Sequence, residues 1–429
     1  MQKKRLRMLP VTAAVLLAWA GTASALDFHG YFRSGIGASS KDGGMECFRL
    51  QGAGGNGNFR LGNECETYGE AQFDQNVYDG KDGVKFDYHV MFGYATTQEG
   101  DFENLATGGN HIALRQNYVD VKNLPFLGGG SAWAGKRYYQ RHDIHVNDYF
   151  YWNNSGPGAG VEKISLGGNL NTSFAILRQN GQNEQANPPN TPHNPNNNAS
   201  TILDWRLAGI PMGPVGSLEV GLQYNKEDTA LPNSKNGTAI LAEWTWNVLG
   251  GVNKVFGMYG KDSAAFAGWQ GPRNQVTCDF GQPGPCDQGW GVLDSFQFQI
   301  NPAFSGMAAV GYYDWKNNYK WTFAGVRPVF HVTDYFKLQG ELGYNKIKAA
   351  TQADAADLTH FVIAPTIVAG RGFWARPELR LYYAYNKWNN KARDGVFGPG
   401  NGVVAGGTAG PFGASTNGAT WGIQAEAWW

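Results

Sequence analysis

Apolar and polar side chains alternate with period two along much of the chain. Leu218, Val220, Leu222 and Tyr224 alternate with Glu219, Gly221, Gln223 and Asn225, and Leu338, Leu342 and Tyr344 with Gln339, Glu341 and Asn345. Leu379, Leu381, Tyr383 and Tyr385 alternate with Glu378, Arg380, Tyr382 and Asn386, and Phe86, Tyr88, Val90, Phe92 and Tyr94 with Asp87, His89 and Met91. Successive side chains of a strand point to opposite faces, so each run predicts a β-strand with one apolar face, tyrosines near its ends, and one polar or charged face. A soluble sandwich would alternate too, but its apolar face would be a core and would need no aromatic rim. The pattern predicts an all-β architecture: a transmembrane antiparallel barrel with lipid outside, water inside and aromatic girdles at the interfaces. At ~9–11 residues per tilted spanning strand, with connections of similar length, the chain holds roughly 16–18 strands and an aqueous channel. The two ends fit closure. Phe28, Phe32 and Ile36 alternate with Asp27, His29, Tyr31 and Arg33, while Trp421, Ile423, Ala425, Ala427 and Trp429 alternate with Gly422, Gln424, Glu426 and Trp428.

The first 25 residues stand apart. Lys3, Lys4, Arg5 and Arg7 precede an apolar run from Leu9 to Gly21 and the small residues Ala23-Ser24-Ala25, which is the build of an export signal. The division is therefore a signal peptide over 1–25 and a barrel over 26–429. The apolar run is too short to span a bilayer as a helix, and no later run is long enough. Gly is 60 of 429 residues and aromatics 14%, which favours strands and turns. Lys plus Arg and Asp plus Glu number 35 each, so charge gives no case for nucleic acid as a partner. Cys47 with Cys65 and Cys278 with Cys286 form two sequence-local pairs that export permits to be disulfides in external loops. Zinc is the competing reading, but neither pair has metal-ligand spacing with a second Cys or His pair; no metal or cofactor is expected.

Charges and rings concentrate between Trp133 and Gly160, where Lys136, Arg137, Arg141, His142, Asp143, His145 and Asp148 interleave with Tyr138, Tyr139, Tyr149, Phe150, Tyr151 and Trp152. Unpaired charges are costly in a dry core, so the stretch is expected to face water in a confined place, with Gly156, Pro157, Gly158 and Gly160 turning it back. Asn180–Ser200, rich in Asn, Gln and Pro, and Gly395–Gly418, rich in Gly, read as long external loops. Parity places Tyr31 with Arg33, Tyr68 with Glu66 and Glu70, Trp374 with Glu378 and Arg380, and Trp428 with Glu426 on the water-facing side. Each ring alone is as readily explained by packing. Rings beside Arg and carboxylate suit a sugar, whose C–H faces lie on rings and whose hydroxyls bond to charged groups. His142-Asp143-Ile144-His145 admits a metal or catalytic reading, but no nucleophile or metalloprotease motif accompanies it. Charges paired within a constriction are the favoured reading, and no enzyme activity is expected.

The segments LDFHGYFRSGIG, RLGNECETYGE and WAGKRYYQRHDIHVNDYFYWNNSGPGAG and the terminal WW together resemble maltoporin, the trimeric maltodextrin channel of the Gram-negative outer membrane. The similarity runs over Leu26–Trp429. It implies a barrel of 18 strands with the third loop folded into the pore, a homotrimer, passive passage of maltose and maltodextrins, and a multi-pass outer-membrane location. An aromatic slide then falls on Tyr31, Tyr68, Phe102, Trp374 and Trp428, with Phe102 reaching in from a neighbouring subunit. Polar tracks fall on Arg33, Arg60, Glu70, Arg115, Arg141, Asp143 and Asp148. Phe150 stands where the family's constriction has Tyr, and Val252 where its slide has Phe, with Phe256 on the same strand face; both bear on sugar preference. Another saccharide such as sucrose, or general diffusion, are the alternatives. Phage or another external ligand at the loops is a further partner that the resemblance allows.

Overall fold

A computed structural model describes residues 26–50, 58–98, 100–106, 109–179, 200–227, 235–267, 287–395, 402–403 and 407–429. The first 25 residues, Cys278 and Cys286, and the stretch from Asn180 up to Ser200 lie outside them, as does part of the Gly395–Gly418 loop.

Eighteen strands form one antiparallel sheet closed on itself. The first strand, Asp27–Ser39, pairs with Thr67–Asp79 on one side and with the last strand, Asn417–Trp428, on the other, where Arg33 faces Glu426. Closure removes the unpaired edge that a membrane does not tolerate. Alternation sorts the faces as expected: Ile36, Leu342 and Phe361 are exposed on the outside, whereas Glu341, Asn345 and Arg380 are buried within. Tight turns such as Gly250 between Val248 and Gly251 close one end, and long connections, 40–66 and 138–155 among them, close the other.

The inner faces are not uniformly polar. Strands Phe304–Trp315 and Tyr319–His331 turn Tyr313, Trp315, Trp321 and Phe323 inward, and all four are buried. The 138–155 connection covers Tyr313, Trp321 and Phe323 through Tyr149, Phe59 packs beside them at Gly325, and Trp315 stacks on Phe266 at 4.9 Å. The connection carries a two-stranded ribbon, His142–Ile144 against Tyr149–Tyr151. Tyr149 packs 5.0 Å from Trp321 and 6.0 Å from Tyr313, and Trp152 lies over Phe256 at 5.8 Å. The expectation that the whole aromatic stretch faces water is therefore corrected. A ribbon also alternates, so Ile144, Tyr149 and Tyr151 enter a dry core while Arg141, Asp143 and Phe150 stay outside it. Polar anchors fix the ribbon's pose: Tyr151 donates to Glu243 at 2.6 Å, Asn154 to Asp204 at 2.8 Å, and Arg206 donates to the carbonyls of Gln140 and Trp152 at 2.7 and 3.2 Å.

The wealth of glycine has a steric use here. The Phe59 ring lies flat on the wall, and a Cβ built on Gly325 or Gly343 would come within 2.1 or 2.3 Å of it. Gly221 makes the same room for Trp152, with 2.3 Å to Cζ2. Cys47 and Cys65 are disulfide-bonded with Cα atoms 5.8 Å apart, closing the segment that carries Phe59, Arg60 and Glu64.

Candidate functional site

Further round the barrel, with three strands between them and the packed wall, three neighbouring strands and one turn bring four rings into a row. Tyr31 lies on Asp27–Ser39, Tyr68 on Thr67–Asp79 and Trp428 on Asn417–Trp428. Ring centroids are 6.1 Å apart for Tyr68 and Tyr31, 6.5 Å for Tyr31 and Trp428, and 6.2 Å for Trp428 and Trp374. Trp374 does not extend the parity of Glu378 and Arg380 as expected, because the strand begins at Glu378 and Trp374 sits in the connection before it. It joins the row from that turn. Phe102 lies in the 97–110 connection, 87% exposed, and none of the contacts linking the four rings involves it.

Guanidinium groups back the rings. Arg33 stands 5.0 Å from the Tyr68 centroid, Arg60 6.0 Å from Tyr31 and Arg376 4.1 Å from Trp428. These cations are held in turn by carboxylates. Glu426 takes Arg60 at 2.8 Å, Arg376 at 2.8 Å and Arg380 at 2.9 Å, and accepts from the Tyr31 hydroxyl at 3.0 Å. Arg33 binds Glu64 at 3.0 Å and also Glu66 and, at 3.9 Å, Asp148. So dense a network satisfies buried charges that would otherwise be prohibitive, and it leaves each ring little freedom to turn. Burial works against ionisation of Glu66, but Arg49 and Arg33 prevail and hold it at about 2. Burial pushes Asp148 the other way, up to about 6, against the pull of Arg60 and Arg33.

His145, at the tip of the ribbon, touches Trp374 at 5.1 Å and Trp428 at 5.8 Å, and its two ring nitrogens each lie 3.3 Å from a guanidinium, of Arg60 and Arg376. Burial first, then Arg60, keeps it well below the usual imidazole range, so it is neutral and accepts from one of the two.

A second polar group faces the row. The Tyr138 hydroxyl donates to Glu70 at 2.8 Å and accepts from Arg115 at 2.5 Å, and Tyr68 donates to the same carboxylate at 2.6 Å. Arg141 lies between Tyr138 and Phe150, 3.6 and 4.1 Å from their centroids. Phe150, though it lacks a hydroxyl, thus serves as one side of a clamp that orients a guanidinium. Arg141 and exposed Asp143 line a cavity of about 530 Å³ with Lys163, Glu219 and Lys254. Phe256 is fully buried beneath Tyr151, 4.9 Å away, and Trp152, whereas Val252 is half-buried.

The structure thus gathers Tyr31, Tyr68, Trp374, Trp428, Arg33, Arg60 and Asp148 in one group and Glu70, Arg115, Arg141 and Phe150 beside it. Sequence reasoning passed over Glu64, Tyr138, His145, Arg376 and Glu426 as site residues. Glu426 shares the parity of Trp428 and was within reach; His145 and Arg376 lie outside the barrel strands and carry no periodic signal. Asp87, His89 and Asp120 also approach one another on the inner face. There both His89 nitrogens meet carboxylates, of Asp74 at 2.6 Å and Asp120 at 2.9 Å, and Lys122 sits on Asp87 at 2.7 Å, which is an ion-pair network.

Comparison with known proteins agrees with the barrel. The family model described as LamB porin matches residues 26–429. Among solved structures, the chain is similar to OccK9 (OpdG) of Pseudomonas aeruginosa, at 9% identity and a TM-score of 0.49 over 94% of this chain and 98% of that one. It is also similar to OpdK of the same organism with vanillate, at 10% identity and 0.48 over 94% and 99%. OmpT of Vibrio cholerae in its trimer form matches at 12% identity and 0.38, over 95% and 100%.

Proposed function

The chain belongs to the LamB porin family, the maltoporins, and is an outer-membrane β-barrel porin; from that premise we propose that it passes maltose and maltodextrins selectively along the row Tyr68, Tyr31, Trp428 and Trp374. The observation that carries the reading is the row itself. Rings are spaced 6.1–6.5 Å apart, each half-buried or more exposed, and three of the four are backed by a guanidinium. Glucose units present C–H faces to such rings, while Arg33, Arg60, Glu70, Arg115, Arg141, Asp143 and Asp148 exchange hydrogen bonds with hydroxyls at the edge. In this reading the 138–155 connection, the third long one, narrows the pore, and Phe102 extends the slide of a neighbouring subunit in a homotrimer.

Conduction requires binding firm enough to recruit sugar and weak enough to release it. A Kd near 1 mM corresponds to about −4 kcal/mol, spread over several rings and hydrogen bonds. Proteoliposome swelling with maltose, maltotriose, sucrose and an uncharged non-sugar of similar mass tests the proposal. Faster entry of the maltose series supports it. Rates that follow mass alone indicate general diffusion, and faster entry of sucrose indicates another saccharide.

A further inference from the structure

The channel interior leaves one charged surface unused, on the outside of the barrel. Strands Tyr319–His331, Phe336–Ala349, Ala356–Val368 and Glu378–Trp388 are consecutive neighbours. At the end bearing the long connections they turn Lys320, Lys346, Lys348 and Lys387 outward, all exposed. Lys320 stands directly opposite Lys348 in the ladder, where like charges repel. Among the described residues, two carboxylates stand beside them at outward positions. Asp314 takes Lys320 at 2.7 Å, and Asp357, opposite Lys346, accepts from Asn389 at 2.6 Å and stands within electrostatic reach of Lys346 and Lys387. None of the ion pairs found among the described residues takes up Lys346, Lys348 or Lys387.

Immediately inward along the same strands the surface becomes apolar, with Leu342, Phe361, Tyr383 and Tyr385 exposed. A recess of about 630 Å³ crosses the outer wall there, lined by Tyr344, Ala324, Val326 and Val310 and bordered on its far side by Asn253 and Asp294, which bond each other. Tyr344 is two residues from Lys346, roughly 7 Å along the strand. Four ammonium groups against two carboxylates, set directly above a membrane-facing apolar recess, match an amphiphile with anionic oxygens on its head and acyl chains below.

We propose that this rim is a binding site for a phosphate-bearing glycolipid of the outer leaflet. Its phosphates lie among Lys320, Lys346, Lys348 and Lys387, and an acyl chain lies in the recess below. The phosphate relieves the repulsion between Lys320 and Lys348, which an uncharged lipid leaves in place.

The test uses full-length protein purified in mild detergent, stripped of lipid, and incubated with diphosphorylated lipid A or with its dephosphorylated form. Lipid retained per chain is read by native mass spectrometry. Wild-type protein is expected to retain the diphosphorylated form at least fivefold more than the other. The combined Lys320→Gln, Lys346→Gln, Lys348→Gln and Lys387→Gln variant is expected to lose that preference while its block by maltotriose stays unchanged. Lys348→Glu alone, which removes the repulsion with Lys320, should also lower retention severalfold. Equal retention of the two lipids by wild type, or undiminished retention by the variants, would overturn the proposal. So would a changed oligomeric state in the variants with lipid retention intact, since that would assign the rim to a contact between subunits.

Discussion

Two walls of the same barrel carry inward aromatic rings, and they use them differently. On Phe304–Trp315 and Tyr319–His331 the rings of Tyr313, Trp315, Trp321 and Phe323 are fully covered by Tyr149, Phe266 and their neighbours. On Asp27–Ser39, Thr67–Asp79 and Asn417–Trp428 the rings of Tyr31, Tyr68 and Trp428 remain partly open and are surrounded by Arg and Glu. Strand alternation is identical on both. What separates them is the partner: apolar chain folded over the first, and charged groups ranged along the second. A ring facing inward is thus no sign of a ligand lane by itself. In the proposed function the distinguishing sign is a guanidinium behind the ring and an open face before it.

The strongest way to break this contrast is to uncover the packed wall. Phe59→Ala removes a ring seated on Gly325 and Gly343, and large-to-small changes of this kind cost about 3–5 kcal/mol. The segment should then detach, seen as higher and noisier single-channel conductance and earlier proteolysis of residues 58–66. Gly325→Leu should act alike by displacing the same ring. On the open wall, Glu426→Ala leaves Arg60, Arg376 and Arg380 without their shared carboxylate, a loss of roughly 3–5 kcal/mol for buried pairs. A lowered midpoint in thermal unfolding and weaker sugar block together would report it.

Smaller changes sharpen the contrast. Arg141→Ala should weaken maltotriose block by about 1.5–3 kcal/mol, as for one charge-assisted partner, with the barrel's melting unaffected. Phe256 belongs to the covered side, under Tyr151 and Trp152. Phe256→Ala should therefore lower stability and leave sugar-induced closures alone, whereas Val252→Phe should lengthen them. The smallest expected effect is on pH. Burial pushes the Asp148 carboxyl up to about 6. Lowering the pH from 7 to 5 neutralises it, makes the lining more positive and should shift the reversal potential in a KCl gradient toward anions; Asp148→Asn should flatten that response. The sign for stability is the same way round. A carboxyl raised above its unfolded value contributes stability below about pH 4 that is lost as the pH rises through 6.

The barrel was legible because alternation with period two repeats strand after strand, and the terminal runs predict that the first and last strands pair, which they do with Arg33 opposite Glu426. The ring row was legible for Tyr31, Tyr68 and Trp428, which sit in register on neighbouring strands. Trp374 joins the row as expected, but from a turn that parity does not govern rather than from the strand. The covered wall was not legible. Nothing local in Tyr313 or Trp321 announces that residues more than a hundred positions away will fold over them, and the glycines that receive Phe59 and Trp152 look like any other strand glycine. His145 and Arg376 escaped for the same reason, since their roles arise only where a ribbon tip, a turn and the last strand meet.

The central claim is that sugar travels on the open wall. Single-channel current blockage by maltotriose in planar bilayers tests it most directly, comparing Trp428→Ala with Trp315→Phe. Removing the Trp428 ring should raise the dissociation constant about tenfold, equivalent to ~1.4 kcal/mol, while Trp315→Phe leaves block unchanged. Block that survives Trp428→Ala but is lost in Trp315→Phe would contradict the account.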